Sequence, residues 1–349
     1  MRHTRPDFLW DLNSKHHKRS MFTNKTILIT GGTGSFGKQC TATILAKYKP
    51  RRLIIFSRDE LKQFEMAQQF SPEKYDCMRY FIGDVRDKER LYRAFRNVDY
   101  IIHAAALKQV PAAEYNPTEC IRTNVIGAEN IVNVAADLGA KKVVALSTDK
   151  AVSPVNLYGA TKLCSDKLFV AANAFVGAET TYAVVRYGNV MGSRGSVIPF
   201  FIKKRAEGGP LPITDMRMTR FWITLEQSVD MVLRAFAIAG GGEVFIPKIP
   251  SMKITDLAEA IAPGMETIEV GIRPGEKLHE SMISSEDSRH TIDIGDYYVI
   301  KPEICRYKGC EGTAVLEGFE YNSGTNEMWL TVAQLRTILR KQAFSMPGE

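Results

Sequence analysis

Residues that could move protons and a hydride are concentrated in one stretch, ALSTDKAVSPVNLYGATK, which spans residues 145–162. Tyr158 and Lys162 lie four residues apart there, so on a helix they share one face and can point at the same ligand. A phenol has a pKa of about 10, too high for a general base at neutral pH unless positive charge lowers it. Thr148 stands ten residues before Tyr158 and can hydrogen-bond a substrate hydroxyl. The set predicts hydride transfer with a nicotinamide cofactor.

Asp149 and Lys150 form an adjacent acid–base pair directly after Thr148. A simple dehydrogenase, or an epimerase acting at carbon 4 of a sugar, needs only the threonine, the tyrosine and the lysine of the first set. An additional acid and base therefore imply a second proton-transfer step. Because the pair follows the carboxyl end of a predicted parallel strand, where ligands of such sheets bind, we expect both side chains to face a substrate rather than solvent.

The segment ITGGTGSFG, residues 29–37, places glycines between a predicted strand and a predicted helix. Glycine permits a tight turn and a close approach of the backbone to a pyrophosphate, and the helix N-terminus supplies N–H groups with a partial positive charge. This strand–turn–helix context indicates a dinucleotide site. Its predicted cofactor-binding residues are Gly31, Thr33, Gly34, Ser35, Phe36 and Gly37.

The end of the second predicted strand decides between the two nicotinamide dinucleotides. An acid at this place binds the ribose 2′-hydroxyl of NAD, whereas a base accommodates the 2′-phosphate of NADP. The strand runs into FSRDELK, where Ser57, Arg58 and Lys62 offer a hydroxyl and two cations. Asp59 precedes Glu60 and is expected to cap the helix that follows. We therefore expect NADP.

Short apolar runs alternate with amphipathic runs along the first half of the chain. Near-continuous apolar strands between helices are typical of a parallel sheet covered on both faces. The predicted fold is α/β, a Rossmann-type doubly wound parallel sheet with a smaller α/β substrate-binding C-terminal domain. The predicted strands are 26–30, 52–56, 78–84, 99–106, 141–148, 180–188 and 242–247. The predicted helices are 38–48, 60–70, 87–96, 117–139, 157–175, one within 193–209, 225–240, 255–262 and 331–342.

The chain of 349 residues is long enough for one large or two modest domains. We expect an NADP-binding Rossmann domain over residues 21–190, to which residues 225–248 return, and a mainly substrate-binding domain over residues 191–349. Residues 1–20 show no periodicity and are expected to be a disordered extension or a mis-assigned start. Their five basic and two acidic residues supply +3 of the formal net charge of +7, so the remainder suits anionic small molecules rather than nucleic acid.

Several classes of protein are not expected. The sequence has no run of about 18 apolar residues, so we expect no membrane segment, and its basic start lacks the apolar core of a secretory signal. We expect no metal site, because no His, Cys and carboxylate cluster has ligand spacing. His103 lies in an apolar strand and is expected to be a packed residue. The six cysteines are expected to be reduced, buried thiols of a cytoplasmic protein.

The chain resembles the extended short-chain dehydrogenase/reductase family in its Gly-x-x-Gly-x-x-Gly loop and, within it, the inverting UDP-N-acetylglucosamine 4,6-dehydratases. Related dehydratases usually carry Asp-Glu where this chain has Asp149 and Lys150, and lysine at the second place resembles the inverting group. Membrane-bound relatives usually carry Met where this chain has Tyr158. The resemblance covers about residues 22–285 and rests on LITGGTGSFGK, FSRDELKQ, AALKQVPAAEYNP, LSTDKAVSPVNLYGATK, RYGNVMGSRGSVIPFF, MTRFWIT and IRPGEKLHE.

The resemblance implies that carbon 4 of the sugar is oxidised, that water is lost across carbons 5 and 6, and that the hydride returns to carbon 6. Lys150 would take the carbon 5 proton, and Asp149 would protonate the departing hydroxyl. As a base Lys150 must be neutral, so its pKa, about 10.4 in a free lysine, must be lowered by burial or by the charges of Lys162 and the nicotinamide. The implied product is UDP-2-acetamido-2,6-dideoxy-β-L-arabino-hex-4-ulose, at the first step of pseudaminic-acid-type sugar biosynthesis. NADP would stay tightly bound and be recycled.

The resemblance also implies further contacts. Asp84 and Val85 would meet the adenine, and the backbone of Ala104 and Ala105 would run along the cofactor. Relatives dimerise through helices equivalent to 117–139 and 157–175, so a homo-oligomer is expected. The residues implied to bind UDP-N-acetylglucosamine are Lys108, Asn189, Arg194, Val197, Thr214, Arg220, Arg273 and Glu276.

Two alternatives remain. One is a retaining 4,6-dehydratase or a 4-epimerase of a related UDP-sugar. Epimerases need no Asp-Lys pair and retaining dehydratases usually have Asp-Glu, so Asp149 and Lys150 count against both. The other alternative is a non-catalytic NADP-sensing scaffold. Such proteins commonly lose the active-site tyrosine or lysine, and both are present here.

Overall fold

The computed structural model describes residues 21–175, 179–193, 196–304, 307–342 and 344. The expectations for residues 1–20 and for Arg194 lie outside the described residues. The strands are β1 (Thr26–Thr30), β2 (Arg52–Ser57), β3 (Met78–Ile82), β4 (Tyr100–His103), β5 (Lys142–Thr148), β6 (Thr181–Tyr187), β7 (Asn189–Val190), β8 (Leu211–Ile213), β9 (Thr219–Ile223), β10 (Val244–Pro247), β11 (Ser251–Lys253), β12 (Thr267–Glu269), β13 (Ser281–Ile283), β14 (Thr291–Asp293), β15 (Tyr297–Ile300), β16 (Thr313–Ala314) and β17 (Tyr321–Asn322). The helices are α1 (Ser35–Lys47), α2 (Glu60–Gln69), α3 (Lys88–Ala94), α4 (Val110–Tyr115), α5 (Pro117–Ile121), α6 (Gly127–Asp137), α7 (Leu157–Phe175), α8 (Val197–Glu207), α9 (Leu225–Ile238), α10 (Ile254–Ile261) and α11 (Val332–Lys341).

A parallel sheet forms the centre of the fold. Its strands run in the spatial order β3-β2-β1-β4-β5-β6-β10, and each neighbouring pair is parallel. The chain adds β2 and β3 on one side of β1 and then returns to add β4, β5 and β6 on the other side. This change of side leaves a crevice between the carboxyl ends of β1 and β4. Strand β1 is buried along its whole length, as a strand covered on both faces must be. The topology confirms the predicted Rossmann-type doubly wound sheet.

Three antiparallel strands extend this sheet beyond β10, and none of them was predicted from the sequence. β15 pairs with β10, β14 pairs with β15, and β16 pairs with β14. In the first pair Val244 stands opposite Ile300 and Phe245 opposite Val299. Residues late in the chain therefore complete a sheet that the first residues of the domain begin.

A second, smaller core lies beside the sheet. Helices α8, α10 and α11 pack with the short sheets β7-β9-β11 and β8-β12 around it. Its fully buried side chains are Ile198, Phe201, Leu211, Ile213, Trp222, Met252, Leu257, Ile261, Leu335 and Leu339. This unit is a smaller α/β layer built from part of residues 191–349, whereas β14, β15 and β16 of the same range join the large sheet. The predicted domain bounds and the substrate-binding role stay predictions.

The helix predicted over residues 117–139 is not regular. Helices α5 and α6 are joined by a π-helical turn, Arg122–Ile126, which accommodates one extra residue in the helical path. Within that turn Thr123 and Asn124 are buried. The hydrophobic periodicity of the sequence gives no sign of this turn, because one inserted residue shifts the pattern only locally.

The thiols do not all match the expectation. Cys40 and Cys120 are buried, Cys77 and Cys310 are half-buried, Cys164 is exposed, and Cys305 lies outside the described residues. The expectation of a buried thiol is wrong for Cys164, because it shares the outer face of α7 with the exposed Lys167.

Within the described ranges, none of the helices combines the length and the apolar character that crossing a bilayer requires.

Candidate active site

A cavity of about 490 Å³ opens at the carboxyl ends of the parallel strands. It collects most of the residues that the sequence singled out. These are Gly31, Thr33, Gly34, Ser35, Phe36, Gly37, Ser57, Arg58, Lys62, Asp84, Val85, Ala104, Ala105, Lys108, Thr148, Asp149, Lys150, Tyr158, Lys162 and Asn189. Residues that line it without having been predicted include Gly83, Thr123, Ser147, Tyr187, Ser193, Ser196 and Leu225.

The glycine loop forms a cradle at one end of the cavity. Gly31 has a φ of +64°, and a Cβ there would stand 2.9 Å from the carbonyl oxygen of Ala104. A Cβ on Gly37 would stand 2.2 Å from the carbonyl oxygen of Gly32. Helix α1 begins directly after Gly34, and no side chain of the described residues caps it. The backbone N–H groups at this helix end and the space beside them suit a pyrophosphate, so the chain fits a dinucleotide cofactor.

The wall next to the cradle carries the residues expected to select the cofactor. Oδ1 of Asp59 accepts a hydrogen bond from the backbone N–H of Lys62 at 3.0 Å, which confirms that Asp59 caps α2. Oδ2 of Asp59 forms an ion pair with Nζ of Lys62 at 2.6 Å. Arg58 lies 3.6 Å from Asp84. The acid at the end of β2 is thus held by the following helix, while the charged ends of Arg58 and Lys62 remain partly exposed. The hydroxyl oxygen of Ser57 accepts a hydrogen bond from the side-chain amide of Gln63 at 3.0 Å.

Helix α7 carries Tyr158 and Lys162 to the cavity. Burial raises the pKa of Tyr158 to about 12, although the charge of Lys150 and the side chain of Thr148 act to lower it. Among the groups of the chain itself, burial therefore raises the pKa of Tyr158 more than nearby positive charge lowers it. The charge with the largest lowering effect on this pKa is that of Lys150, whereas the sequence had pointed to Lys162. Burial also lowers the pKa of Lys162, against the charge of Asp166.

Lys150 lies between two buried carboxylates. Its Nζ is 3.0 Å from Oδ1 of Asp149 and 3.2 Å from Oε1 of Glu280. The hydroxyl of Thr148 donates to the same Asp149 oxygen at 2.9 Å. The other oxygen, Oδ2, is buried and has no hydrogen-bond partner among the described residues. Because Asp149 also lines the cavity, this oxygen can serve a bound ligand.

The two carboxylates determine the protonation of Lys150. Burial acts to lower its pKa, but the negative charges of Asp149 and Glu280 outweigh burial and raise the pKa above that of a free lysine. The expectation that the surroundings lower this pKa is therefore wrong for the groups of the chain itself. Lys150 is an ammonium at neutral pH, so it can act as a base only after its proton has moved to a neighbour.

Asn124, in the π-helical turn, organises the site and was missed in the sequence. Its Oδ1 accepts a hydrogen bond from the N–H of Leu107 at 2.8 Å, and its Nδ2 donates to the carbonyl of Leu107 at 2.9 Å. The same Nδ2 donates to Oγ1 of Thr161 at 3.0 Å. The asparagine thereby ties the segment before Lys108 to α7. Its only signal in the sequence is a polar residue inside an otherwise apolar helical face.

Two of the residues implied to bind a substrate line the cavity. Burial lowers the pKa of Lys108. Oδ1 of Asn189 is buried and lacks a partner among the described residues, and the same holds for Oγ of the neighbouring Ser196. These orphaned polar atoms at a cavity wall are the ones a polar ligand would satisfy.

The other implied contacts lie away from the cavity wall that the described residues form. Val197 begins α8 and packs against the smaller core, and Thr214 follows β8. Arg220 is buried and donates hydrogen bonds to three backbone carbonyl groups. Arg273 is exposed and lies 3.9 Å from Glu276. Contact of these side chains with a substrate stays a prediction.

The segment RPGEKLHE, residues 273–280, packs over the turn that carries the acid–base pair. The amide of Asn156 donates to the carbonyl of Gly275 at 2.7 Å, and Nζ of Lys277 donates to the carbonyl of Val152 at 2.6 Å. These contacts bring the last residue of the segment, Glu280, to Lys150. Glu280 was not predicted as a site residue, although it is the last residue of the motif IRPGEKLHE, on which the family resemblance partly rests.

His103 is a packed residue, as predicted. It is buried, its Nδ1 lies 2.8 Å from Oγ1 of Thr30, and burial lowers its pKa to about 3. In the part of the chain that the structure describes, no group of three or more His, Cys, Asp and Glu side chains could hold a metal ion.

Comparison with known proteins agrees with the geometry. Residues 27–302 match the model of a family described as polysaccharide biosynthesis protein. The chain is similar to a protein of Campylobacter jejuni subsp. jejuni named UDP-N-acetylglucosamine 4,6-dehydratase (inverting), with 58% identity over 331 residues that cover 91% of this chain and 98% of the relative. It is also similar to a Rickettsia akari protein named UDP-glucose 4-epimerase, with 46% identity over 288 residues, 80% of this chain and 84% of that one.

Solved structures show the same architecture. Pen from Bacillus thuringiensis superposes with a TM-score of 0.85 at 36% identity, covering 92% of this chain and 100% of that chain. A dTDP-glucose 4,6-dehydratase from Streptomyces venezuelae, whose structure holds NAD, superposes with a TM-score of 0.64 at 23% identity over 72% of this chain and 86% of that one, and so bears on the fold alone. Together with the sequence relatives, these matches confirm the resemblance inferred from the motifs.

Proposed function

The chain belongs to the polysaccharide biosynthesis protein family of the extended short-chain dehydrogenases/reductases, and we propose that it is a UDP-N-acetylglucosamine 4,6-dehydratase that inverts carbon 5. Its product is UDP-2-acetamido-2,6-dideoxy-β-L-arabino-hex-4-ulose. The reaction is a net loss of water, so the enzyme is a hydro-lyase, and it makes the precursor of pseudaminic-acid-type sugars.

The observation that carries the proposal is the pair Asp149 and Lys150 beside Tyr158 at one cavity. Their side chains are joined directly, Nζ to Oδ1, at 3.0 Å. A reaction that only moves a hydride has no use for a second, buried acid–base pair. An elimination needs one group that takes a proton from carbon and another that gives a proton to the leaving oxygen.

The first half of the reaction falls to Tyr158, with Thr148 beside it. Tyr158 takes the proton of the hydroxyl on carbon 4, and Thr148 orients that hydroxyl. A nicotinamide held on the glycine cradle would supply the hydride acceptor for carbon 4 and the hydride donor for carbon 6. Lys162 lies one helical turn from Tyr158 and adds positive charge that favours the phenolate.

The second half falls to Asp149 and Lys150. A proton moves from the ammonium of Lys150 to the carboxylate of Asp149 along their hydrogen bond. Neutral Lys150 then removes the proton on carbon 5, which the ketone at carbon 4 has made acidic. The C–O bond at carbon 6 breaks, and Asp149 gives its proton to the departing hydroxyl, which leaves as water. Carbon 6 takes back the hydride that the nicotinamide would hold, and a proton adds to the opposite face of carbon 5, which gives the L-arabino configuration. Tyr158 releases the proton it took from the carbon 4 hydroxyl, so the sum is the loss of one water.

Support for NADP comes from the end of β2. Arg58 and Lys62 place two partly exposed cations beside the cavity; Arg58 lies near Asp84, and Lys62 is paired with Asp59, which also caps α2. A 2′-phosphate carries negative charge that these cations can neutralise, and a guanidinium can bind it with two hydrogen bonds. We propose that NADP is the cofactor and that it stays bound, because the hydride taken from the sugar returns to the same sugar.

A 4-epimerase is the second candidate, since a relative 46% identical carries that name. An epimerase leaves the carbon 6 hydroxyl in place and needs no acid near it. The buried Oδ2 of Asp149, which faces no partner among the described residues, favours the dehydratase. A retaining dehydratase differs from the proposed enzyme only in the configuration of carbon 5.

One experiment separates these candidates. The protein is incubated with NADP and UDP-N-acetylglucosamine in deuterated water, and the sugar is followed by NMR. We expect loss of the carbon 6 hydroxyl, deuterium at carbon 5 and the L-arabino configuration. A D-xylo product would overturn inversion, an intact carbon 6 hydroxyl with inverted carbon 4 would establish an epimerase, and an unchanged sugar would favour the scaffold. Tyr158→Phe serves as the inactive control.

A further inference from the structure

Glu280 is a buried carboxylate outside the cavity wall. Its side chain is 3% exposed, and its Oε1 lies 3.2 Å from Nζ of Lys150 and 3.9 Å from Nε of Arg220. The backbone N–H of Glu280 donates to Oγ of Ser323 at 2.9 Å, which fixes the residue to a neighbouring strand connection. Oε2 is buried without a partner among the described residues. Burying a carboxylate destabilises the fold unless a cation compensates its charge, so Glu280 depends on the cations of Lys150 and Arg220 beside it.

Arg220 holds Glu280 from the other side. Its NH1 donates to the carbonyls of Thr219 and Leu278 at 2.7 and 3.1 Å, and its NH2 donates to the carbonyl of Lys277 at 3.0 Å. These bonds fix the guanidinium, whose Nε lies 3.9 Å from Oε1 of Glu280, within the range of an ion pair. Because the guanidinium is buried and always charged, Glu280 faces a permanent cation that compensates its own charge.

We infer that Glu280, backed by Arg220, is a positioning residue that holds Nζ of Lys150 in line with Asp149 and keeps one proton on that pair. The inference deepens the proposed function and, in its catalytic part, rests on it. Glu280 does not line the cavity, so it acts through Lys150 and not on the sugar.

The charges around Lys150 balance in a way that explains the arrangement. With Asp149 and Glu280 ionised and Lys150 and Arg220 protonated, the cluster of these four side chains carries no net charge. When a proton moves from Lys150 to Asp149, those two residues become uncharged, and Glu280 and Arg220 remain as a compensated pair. The cluster is neutral before and after, so the step that creates the acid and the base needs no proton from solvent and leaves no uncompensated charge in the interior.

The same geometry defines the groups that set the titration of Lys150. Two carboxylates raise its proton affinity, and nearby cations and a phenol also face it. These groups are Asp149 on the same turn, Tyr158 on α7, Arg220 on β9, and Lys277 and Glu280 on the segment over the turn.

Glu280→Gln tests the inference, because glutamine has the same shape without the charge. We expect kcat to fall by about 10- to 100-fold, the range of a small misplacement of a reacting group, with little change in KM. The alkaline limb of the pH dependence of kcat, where the shared proton is lost, should move to lower pH. Glu280→Asp keeps the charge on a shorter side chain, so it should lower kcat and leave that limb in place. Glu286→Gln removes an exposed charge six residues away and should change neither.

A second measurement does not depend on turnover. Lysine amines are dimethylated with labelled formaldehyde, and the signal of Lys150, assigned by its loss in Lys150→Arg, is titrated by NMR. We expect Lys150 to titrate at lower pH in Glu280→Gln than in the unchanged chain, and at an unchanged pH in Glu286→Gln. An unshifted titration in a folded Glu280→Gln protein would overturn the inference. A shifted titration in a chain that does not dehydrate the sugar would keep the positioning of Lys150 and reject the proposed function.

If Glu280→Gln does not fold, Arg220→Gln carries the same test. Removal of the cation behind Glu280 raises the proton affinity of Lys150 and moves its titration to higher pH. A titration that moves down or stays in place would overturn the inference.

Discussion

Gly159 lies directly against the backbone of Lys150: a Cβ built on Gly159 would stand 2.1 Å from the carbonyl oxygen of Lys150. Only a glycine lets α7 cross this close to the turn that carries the acid–base pair. The contact sets the distance between Tyr158, on the helix, and Lys150, on the turn, and so fixes the two halves of the proposed chemistry relative to each other.

Gly159→Ala should therefore separate the two groups while leaving both in place. The added methyl group would force α7 away from the turn, and we expect kcat to fall by about 100-fold or more, as expected for a displacement near 1 Å. Gly209→Ala is the matched control, since a Cβ there meets nothing within 4 Å. Steady-state kinetics of both variants, with circular dichroism to check folding, decides the matter. Equal activity of the two variants would mean that this contact does not position the site.

Lys150→Ala should stop the reaction after carbon 4 has been oxidised to the ketone. Oxidation at carbon 4 depends on Tyr158 and should persist, whereas deuterium uptake at carbon 5 and loss of water should fall by about 100- to 10,000-fold, the usual contribution of a general base. A single-turnover mixture would show reduced nicotinamide that forms and is not consumed. Tyr158→Phe should show no reduced nicotinamide at all. Deuterium uptake at carbon 5 at the normal rate in Lys150→Ala would assign the base elsewhere.

The phenol of Tyr158 should respond to the cofactor. Burial raises its pKa to about 12, so below the pKa of a free tyrosine, about 10, the unchanged chain and Tyr158→Phe should give the same ultraviolet titration. Oxidised NADP brings a positive nicotinamide ring to the phenol and should lower the pKa. With NADP added, one additional phenolate should appear in the unchanged chain within that pH range. Identical titrations of the two proteins with NADP would contradict the assignment of Tyr158 as the base for the carbon 4 hydroxyl.

Arg58→Ala should weaken the binding of NADP and leave the binding of NAD unchanged. Loss of a charged hydrogen bond to the 2′-phosphate lowers affinity by about 10- to 100-fold, and NAD has no phosphate at that place. Calorimetric titration of both dinucleotides measures the ratio. Arg52→Ala, at the opposite end of β2, should change neither affinity. A parallel loss of both dinucleotides would show that Arg58 does not distinguish them.

The helices implied to form a dimer present exposed apolar side chains. Ile121 is 42% exposed and Ile126 is 41% exposed, both on the path from α5 to α6. The double variant Ile121→Glu and Ile126→Glu should convert a dimer to a monomer, because two buried carboxylates without partners oppose association. Light scattering after gel filtration measures the mass, and Leu316→Glu, at a side chain that is 84% exposed outside these helices, is the control. A monomeric unchanged chain would reject the expected homo-oligomer, a dimer or a higher assembly.

The sequence was sufficient where local chemistry determines structure. β5 and α7 were predicted within one residue of their observed bounds. A continuous apolar run indicates β5, and an amphipathic run indicates α7. The glycine loop followed from the strand–turn–helix context, and the place of the acid–base pair followed from the carboxyl ends of parallel strands, which converge in space. Asp84, Val85, Ala104, Ala105, Lys108 and Asn189 followed from the family resemblance.

What could not be predicted depends on contacts between distant segments. Glu280 meets Lys150 only because the chain folds back over the turn, and no local pattern marks that contact. The raised pKa of Lys150 follows from the charge of Asp149 and, in addition, from this contact with Glu280, so the expected lowering was wrong for the groups of the chain itself. β4 was predicted to reach Ala106 but ends at His103, and the segment after it is held at Leu107 by the distant Asn124.

The strand order has a consequence for how the chain acquires its structure during synthesis. β6 cannot receive its neighbour β10 until residue 247 has left the ribosome, and β10 stays an open edge until β15 follows. An open parallel edge is prone to associate with other chains, and pairings over such sequence distances form slowly. The large sheet is therefore complete only after the last third of the chain has been made, and a dinucleotide bound at the glycine cradle of the first half would be the earliest ligand able to stabilise it.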